Sequence, residues 1–165
     1  MNDAVDVFLS QWARERPDLD VSSMGVVGRM GRATPLLWRG VERFLAEEGL
    51  ERWEFDVLAT LRRSGEPYSL TPKELVAMTM VGGAAMTNRV DRLVARGLVT
   101  REVDPTNRRR TLVTLAPEGR ELVDRVVDGH VANQERLLEA LDEEERDQLA
   151  GLLRKLLVSL GDTLE

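Results

Sequence analysis

The chain has 165 residues, of which 42% are hydrophobic and 32% are charged, and its formal net charge is −6. A chain of this length can bury a substantial core as one domain, and the composition is ordinary for a water-soluble globular protein. The absence of cysteine excludes disulfide bonds and thiolate chemistry. No apolar run approaches the ~18 residues of a transmembrane helix, and the N-terminus lacks a basic leader followed by an apolar stretch, so we expect a cytoplasmic protein without membrane association.

The N-terminal third of the chain predicts two helices. The segment DAVDVFLSQWARERPD places its apolar residues on one helical face, and Pro17 closes the helix. The segment SSMGVVGRMGRATPLLWRGVERFLAEEG predicts a long second helix, capped by Ser22 or Ser23 and ended by Gly49. We expect Pro35 to kink this second helix.

The central segment predicts three more helices. WEFDVLATLRRSG is a compact amphipathic helix that ends at its glycine. A short helix follows, and its start is well marked, because Thr71 is a capping residue, Pro72 takes the first helical position and Glu74 completes a capping box. This short helix is expected to extend to about Thr79. The third helix is expected to run from about residue 83 to residue 96, with apolar residues at helical spacing.

The pattern then changes to short β-rich runs. LVTREV and TLVTLA flank the turn segment DPTNRRR, which predicts a β-hairpin with a charged tip. Two long amphipathic helices follow, with starts at Pro117 and Asp142. The fold class is therefore mostly α with a small β-hairpin wing, and the central section is a winged helix-turn-helix. The helix near residues 83–96 would be its recognition helix.

Positive charge is concentrated in the predicted recognition helix and wing. From Arg89 to Arg110 there are seven arginines and three acidic residues, a local charge of +4 that leaves −10 for the remainder. A recognition helix fits the DNA major groove, and arginines at a hairpin tip suit phosphates or a narrow minor groove. We therefore predict double-stranded operator DNA as a partner. The predicted contact residues are Thr71, Met86, Thr87, Asn88, Arg92, Arg108 and Arg109.

Other interpretations of the same residues are less specific. One alternative is a solvated face with surface ion pairs, formed by Arg89, Arg92 and Arg101. Each such pair would contribute little to the stability of the fold. The single histidine, His130, is expected on a helix surface without a metal or catalytic role. With one histidine and no cysteine, and without a phosphate-binding loop motif, we expect neither an enzyme nor a bound metal or cofactor.

The segment LTPKELVAMTMVGGAAMTNRVDRLVARGLVTREVDPTNRRRTLVTLAPEGREL resembles the winged helix-turn-helix core of MarR-type transcriptional regulators. The resemblance is strongest in NRVDRLVARGLVTR, in the wing and in LVTLAPEGREL, and it extends over nearly the whole chain. Family wings usually have the pattern Asp-x-Arg-Asp-Arg-Arg, whereas Thr106 and Asn107 replace an Arg and an Asp here. This change removes one charge of each sign from the usual wing-bracing pair, and Arg110 is placed to compensate.

The resemblance implies a homodimer built from the terminal helices. Residues 1–50 would hold N-terminal helices for dimerisation and part of a ligand pocket, residues 51–116 the DNA-binding core, and residues 117–165 the C-terminal dimerisation helices. Burial of leucines between the two subunits would drive association. These leucines are Leu137, Leu138, Leu141, Leu149, Leu152, Leu153, Leu156 and Leu157.

A narrower resemblance links the chain to the urate-responsive, PecS-like branch of the family. It lies in the extra N-terminal helix with its tryptophan, in FDVLATLRRSG and in MTNRVDRL. The matching ligand-pocket residues are Trp12, Asp56, Arg89 and Arg101. Urate is a planar monoanion, which an indole can stack on and a guanidinium can pair with. An Asp56–Arg101 pair would tie the helical core to the wing, and Gly82 and Gly83 depart from the branch's usual entry to the recognition helix.

The sequence therefore predicts a dimeric, ligand-responsive DNA-binding regulator, with repression as its mode and a small anion such as urate as its effector. Two alternatives stay open. In the first, the effector is another small anion or a phenolic compound and not urate. In the second, the chain is an interaction module that has kept the fold but does not bind DNA.

Overall fold

The computed structural model describes residues 2–79 and 86–163. The chain divides into two compact units, residues 1–40 and residues 41–165. Within the described ranges, no helix is long and apolar enough to cross a membrane, and no group of three or more potential metal ligands comes together. The expected helix start at Gly83, and the departure at Gly82 and Gly83, lie outside the described residues.

The first unit is built from α1 (Ala4–Glu15) and the first part of α2 (Ser22–Glu47). Asp3 caps α1 by accepting hydrogen bonds from the backbone N–H groups of Val5 and Asp6, at 2.8 and 3.0 Å. Arg29 of α2 donates to the carboxylates of Asp3 and Asp6, at 2.8 and 2.6 Å, and so ties the two helices together. The helix start is therefore also the point at which the helices are joined.

The start of α2 differs from the sequence-based expectation. Ser22 is the first helical residue, and its backbone N–H donates to the carboxylate of Asp20 at 2.9 Å. The carboxylate of Asp20, not the hydroxyl of Ser22 or Ser23, therefore satisfies this exposed helix-start donor. Pro35 lies inside the helix as predicted, and the helix continues past it to Glu47.

The second unit adds five helices and three strands within its described residues. All three strands belong to one antiparallel sheet in the order β1-β3-β2. The elements after α2 are α3 (Arg52–Arg63), β1 (Ser69–Leu70), α4 (Pro72–Met78), α5 (Met86–Ala95), β2 (Val99–Asp104), β3 (Asn107–Leu115), α6 (Pro117–Leu137) and α7 (Glu143–Ser159). The predicted hairpin is therefore confirmed as β2–β3, and β1 is an addition to it.

Local signals place most element ends correctly. The Thr71 hydroxyl accepts the backbone N–H of Glu74 at 3.3 Å, and the Glu74 carboxylate accepts the backbone N–H of Thr71 at 2.7 Å, which forms the predicted capping box of α4. Gly49, Gly65 and Gly97 follow α2, α3 and α5 with φ angles of 71°, 81° and 71°. A positive φ is easily adopted only by glycine, so these residues stop the helices where the sequence predicts.

The core of the second unit lies between α3, α6 and the sheet. It consists of aliphatic side chains that are almost completely removed from solvent. This packing fixes the positions of α4 and α5 relative to the wing. The most buried members are Leu45, Leu58, Leu61, Leu75, Leu93, Val57, Val90, Val99, Val113, Val123 and Val126.

His130 is partly buried in this unit instead of lying on an open helix surface as expected. Its ring packs on Phe55 with 4.5 Å between ring centroids, and Phe44 lies 6.3 Å away. The Nδ1 atom is buried without a hydrogen-bond partner among the described residues. Burial lowers the pKa of His130, because the charged imidazolium would lose hydration among aromatic rings.

The lowered pKa of His130 predicts a loss of stability in acid. The unfolded chain takes up the proton near pH 6.5, before the folded chain does, so the free energy of unfolding falls as pH drops below about 6.5. Above about pH 6.5 the imidazole is neutral in both the folded and the unfolded chain, so it no longer changes the free energy of unfolding with pH. Urea unfolding at pH 7.5 and pH 5.5 should show a larger loss for the wild type than for His130→Leu. Equal losses in the two proteins would contradict this assignment, since His130 is the only histidine.

Candidate nucleic-acid interface

Helix α5 has one buried face and one exposed face. Met86, Val90 and Leu93 point into the core, with 3%, 2% and 0% of their surfaces exposed. Thr87 and Asn88 are exposed on the opposite side. The prediction that Met86 contacts DNA is therefore corrected, because a side chain that fills the core cannot reach a base edge. Thr87 and Asn88 stay available for such contacts.

The wing is braced by hydrogen bonds to one carboxylate at its turn. The Asp104 carboxylate accepts from the Thr106 backbone N–H at 2.8 Å, from the Thr106 hydroxyl at 2.6 Å and from the Asn107 backbone N–H at 3.3 Å. The hydroxyl contact and then the backbone contacts hold the pKa of Asp104 below its ordinary value. Thr106 and Asn107 thus stabilise the turn without the charge pair found in the usual family pattern.

Three arginines project from an irregular part of the hairpin. Val103 pairs with Thr111, but the next residue, Asp104, pairs with Asn107, so the segment 108–110 is extra on β3. Arg110 lies 3.6 Å from Glu74 of α4 and links the wing to the helix-turn-helix. Arg108 and Arg109 are exposed, and neither guanidinium forms an ion pair with any carboxylate of the described residues. Within the part of the chain that the structure describes, these two arginines are therefore unpaired positive charges at the wing tip.

The other arginines of the basic segment are engaged within the protein. Arg101 of β2 forms a 2.7 Å ion pair with Asp91 of α5. Arg92 of α5 forms an ion pair with Glu51. Arg92 and Arg101 therefore form ion pairs, and part of the basic segment contacts α5 or the residues next to it.

The N-terminal end of α3 supplies the partners of α5. Arg96 forms a 2.8 Å ion pair with Glu54, whose side chain is almost fully buried, and donates to the Gly49 carbonyl oxygen at 3.2 Å. Arg89 and Arg92 lie over the Trp53 ring, 5.8 and 4.7 Å from its centroid. The sequence interpretation missed these acceptors. The sequence contains a pattern that could have predicted these contacts, because the arginines at 89, 92 and 96 are spaced to share one helical face and the start of α3 is acidic.

The four predicted ligand-pocket residues occupy three helices and one strand. Trp12 lies on α1 in the first unit, where it is 44% exposed and lines an open cleft of about 360 Å³ with Phe8 and Arg32. Asp56 lies half-buried on α3. Arg89 lies on α5, where it lines a second open cleft, of about 370 Å³, with Trp53.

The helices α4 and α5, followed by the β2–β3 hairpin, are the elements of the winged helix-turn-helix class of DNA-binding fold. The MarR family profile matches residues 48–110. The transcriptional regulator PecS of Dickeya dadantii is 39% identical over 149 residues, which are 90% of this chain and 90% of PecS. The chain belongs to the MarR family, and its resemblance to the PecS-like branch is confirmed.

Solved structures agree with this assignment. Sco3205 of Streptomyces coelicolor, a MarR family transcriptional regulator in complex with DNA, has a TM-score of 0.78 and 25% identity over 87% of this chain and 90% of its own. BpsR of Bordetella bronchiseptica, whose DNA binding is regulated by 6-hydroxynicotinic acid, has a TM-score of 0.71 and 30% identity over 79% of this chain and 91% of its own. The matched proteins are transcriptional regulators and not enzymes, as the sequence predicts.

Proposed function

We propose that the protein is a dimeric, ligand-responsive repressor that binds a pseudo-palindromic operator. The observation that carries this proposal is the pair Arg108 and Arg109, which project from the wing without a carboxylate partner among the described residues. The exposed polar residues Thr87 and Asn88 on α5 supply the base-reading surface. Thr71, the N-terminal cap of α4, is also proposed as a DNA contact. The DNA complex of Sco3205 supports the same use of the fold.

Footprinting tests the DNA-binding part of the proposal. On the DNA upstream of the protein's own gene, we expect two protected half-sites about one helical turn apart, because each subunit presents one α5 and one wing. Protection of a single short site would contradict the proposed dimeric binding. Protection no stronger than that of unrelated DNA would contradict operator recognition. Absence of any DNA binding would favour the alternative of an interaction module that kept the fold.

The homodimer is supported by the unburied apolar surface of α7. No residue described in α7 is buried, and Leu149, Leu153 and Leu157 recur at four-residue spacing with 42%, 37% and 48% of their surfaces exposed. An apolar stripe of this kind on a helix requires a covering partner. A second copy of the chain would cover it and place two recognition helices on one operator.

Charged residues in this stripe should dissociate the dimer. We expect Leu153→Glu/Leu157→Glu to change the mass measured by light scattering from twice that of one chain to that of one chain, because a carboxylate buried in an apolar interface loses its hydration. Lys155→Glu, on the opposite face of α7, is the control and should remain dimeric. A dimeric double variant would place the interface elsewhere.

The effector proposed is urate, bound by Trp12, Asp56, Arg89 and Arg101. The similarity to PecS supports this choice, as does the chemistry of an indole and guanidinium groups toward a planar anion. The alternative is another small anion or a phenolic compound, and BpsR, with its response to 6-hydroxynicotinic acid, provides the example.

Titration of the protein–DNA complex distinguishes the effectors. We expect urate to release the wild-type protein, and Trp12→Leu and Arg101→Gln to require at least about tenfold more urate, since a lost charged hydrogen bond costs ~1.5–3 kcal/mol. Arg125→Gln, on the exposed surface of α6, should behave as wild type. Release by 6-hydroxynicotinic acid or salicylate but not by urate would support the alternative effector class. Unchanged urate release in both variants would place the ligand elsewhere.

A further inference from the structure

Arg89 and Arg92 of α5 share one side of that helix with Arg96, the residue that follows its end. All three reach the region where α2 ends and α3 begins. Arg89 and Arg92 lie over the Trp53 ring, and Arg96 pairs with Glu54. These arginines therefore attach α5 to the start of α3.

Arg92 is held by both Glu51 and Trp53. Its guanidinium forms an ion pair with the Glu51 carboxylate and lies 4.7 Å from the centroid of the Trp53 ring. The Trp53 indole N–H donates to the other oxygen of the same carboxylate at 2.6 Å. Each member thus contacts both others, and these three residues are called the Arg92 clamp.

The clamp rests on a buried group. The backbone N–H of Glu51 donates to the Glu54 carboxylate at 2.9 Å, and Glu54 is only 2% exposed. The hydrogen bond from Trp53 and then that from Arg92 lower the pKa of Glu51, so its carboxylate stays charged near neutral pH. The acceptor that holds Arg92 is therefore fixed by backbone contacts on one side and remains an anion throughout the working range.

We propose that Arg92 is a positioning residue that, with Glu51 and Trp53, sets the orientation of α5, and that it is not a phosphate contact. This inference rests on the proposed DNA-binding function and revises the sequence-based list of contacts, which includes Arg92. If the Arg92 guanidinium moved to a phosphate, it would lose its contacts with the Glu51 carboxylate and the Trp53 ring. A guanidinium suits the clamp because it pairs and stacks at once, which a lysine ammonium cannot do in the same way.

The test measures binding of the full-length protein to operator DNA and to unrelated DNA at several salt concentrations. We expect Arg92→Ala and Glu51→Gln each to weaken operator binding about tenfold, and the double variant to be no weaker than Arg92→Ala, because both changes break one unit. Binding to unrelated DNA and the salt slope should stay as in wild type for Arg92→Ala. Arg92→Lys should not restore operator binding, since charge alone does not rebuild the clamp.

Glu48→Gln is the matched control, because it removes the same charge from an exposed position near the end of α2 and should leave operator binding unchanged. A phosphate contact gives the opposite pattern and would overturn the proposal. In that case Arg92→Ala lowers the salt slope by about 0.9 per contact and weakens both DNAs equally, while Arg92→Lys restores much of the binding. Wild-type protein that binds no DNA would overturn the proposed function together with the clamp, whereas operator binding with the phosphate pattern would overturn the clamp alone.

Discussion

Replacement of Arg108 and Arg109 by alanine should weaken operator binding by about 10²–10³-fold near physiological salt. Both side chains are exposed and lack a carboxylate partner in the described part of the chain, so their charge is available to the DNA backbone. If each contacts one phosphate, a dimer loses four contacts. The slope of log affinity against log salt should then become shallower by about 3.6.

The control for this experiment removes the same number of charges elsewhere. Arg14→Ala/Arg125→Ala alters exposed positions of α1 and α6 and should change the salt slope by much less than the wing variant. Binding isotherms measured by fluorescence anisotropy at four or more salt concentrations give both slopes. An unchanged slope in the wing variant would mean that Arg108 and Arg109 do not contact phosphates.

Gly119→Ala should destabilise the fold by about 3 kcal/mol or more, at the upper end of the range for overpacking. Gly119 lies in the first turn of α6, where a Cβ atom would stand 2.1 Å from the Leu98 carbonyl oxygen and 3.1 Å from Leu115 Cδ1. The carbonyl cannot rotate away easily, because it accepts the backbone N–H of Ala116 at 3.0 Å. The clash must therefore separate α6 from the segment between α5 and β2.

Gly151→Ala is the matched control, and we expect it to have the opposite effect on the stability of the fold. A Cβ atom at Gly151 in α7 would meet nothing within 4 Å, so the change should stabilise the fold by up to ~1 kcal/mol through helix propensity. Chemical unfolding of both variants at one protomer concentration measures the difference. If Gly119→Ala were as stable as the wild type, α6 could move away from the Leu98 carbonyl oxygen at little cost, and the expected destabilisation would be wrong.

Features encoded by a few neighbouring residues could be predicted from the sequence. The capping box of Thr71 and Glu74, the glycine stops and the β2–β3 hairpin depend on backbone preferences within four or five positions. Strand β1 was missed because it has two residues, Ser69 and Leu70, and exists only through pairing with Thr114 and Val113. A strand of this length has no periodicity of its own to detect.

The basic segment shows where pattern alone is insufficient. Its arginines look equivalent in the sequence, yet Arg92 pairs with Glu51 and Arg101 with a carboxylate of α5. Arg108 and Arg109 pair with no carboxylate of the described ranges. Whether an arginine pairs with a carboxylate depends on residues that are distant in sequence, such as Glu51 for Arg92. Met86 illustrates the same limit, since it belongs to the segment predicted to read DNA but points into the core. Side-chain direction requires the packed helix and not only its sequence.

The most direct test of the account is binding of the wild-type protein to the DNA upstream of its own gene, in competition with unrelated DNA. We expect a dissociation constant of ~10⁻⁸ M or lower, at least about 10³-fold tighter than for unrelated DNA, with affinity falling steeply as salt rises. That result would support reading by α5 and backbone contact by the wing. Equal, weak binding to both DNAs, or no binding at all, would contradict the central claim that this chain recognises an operator.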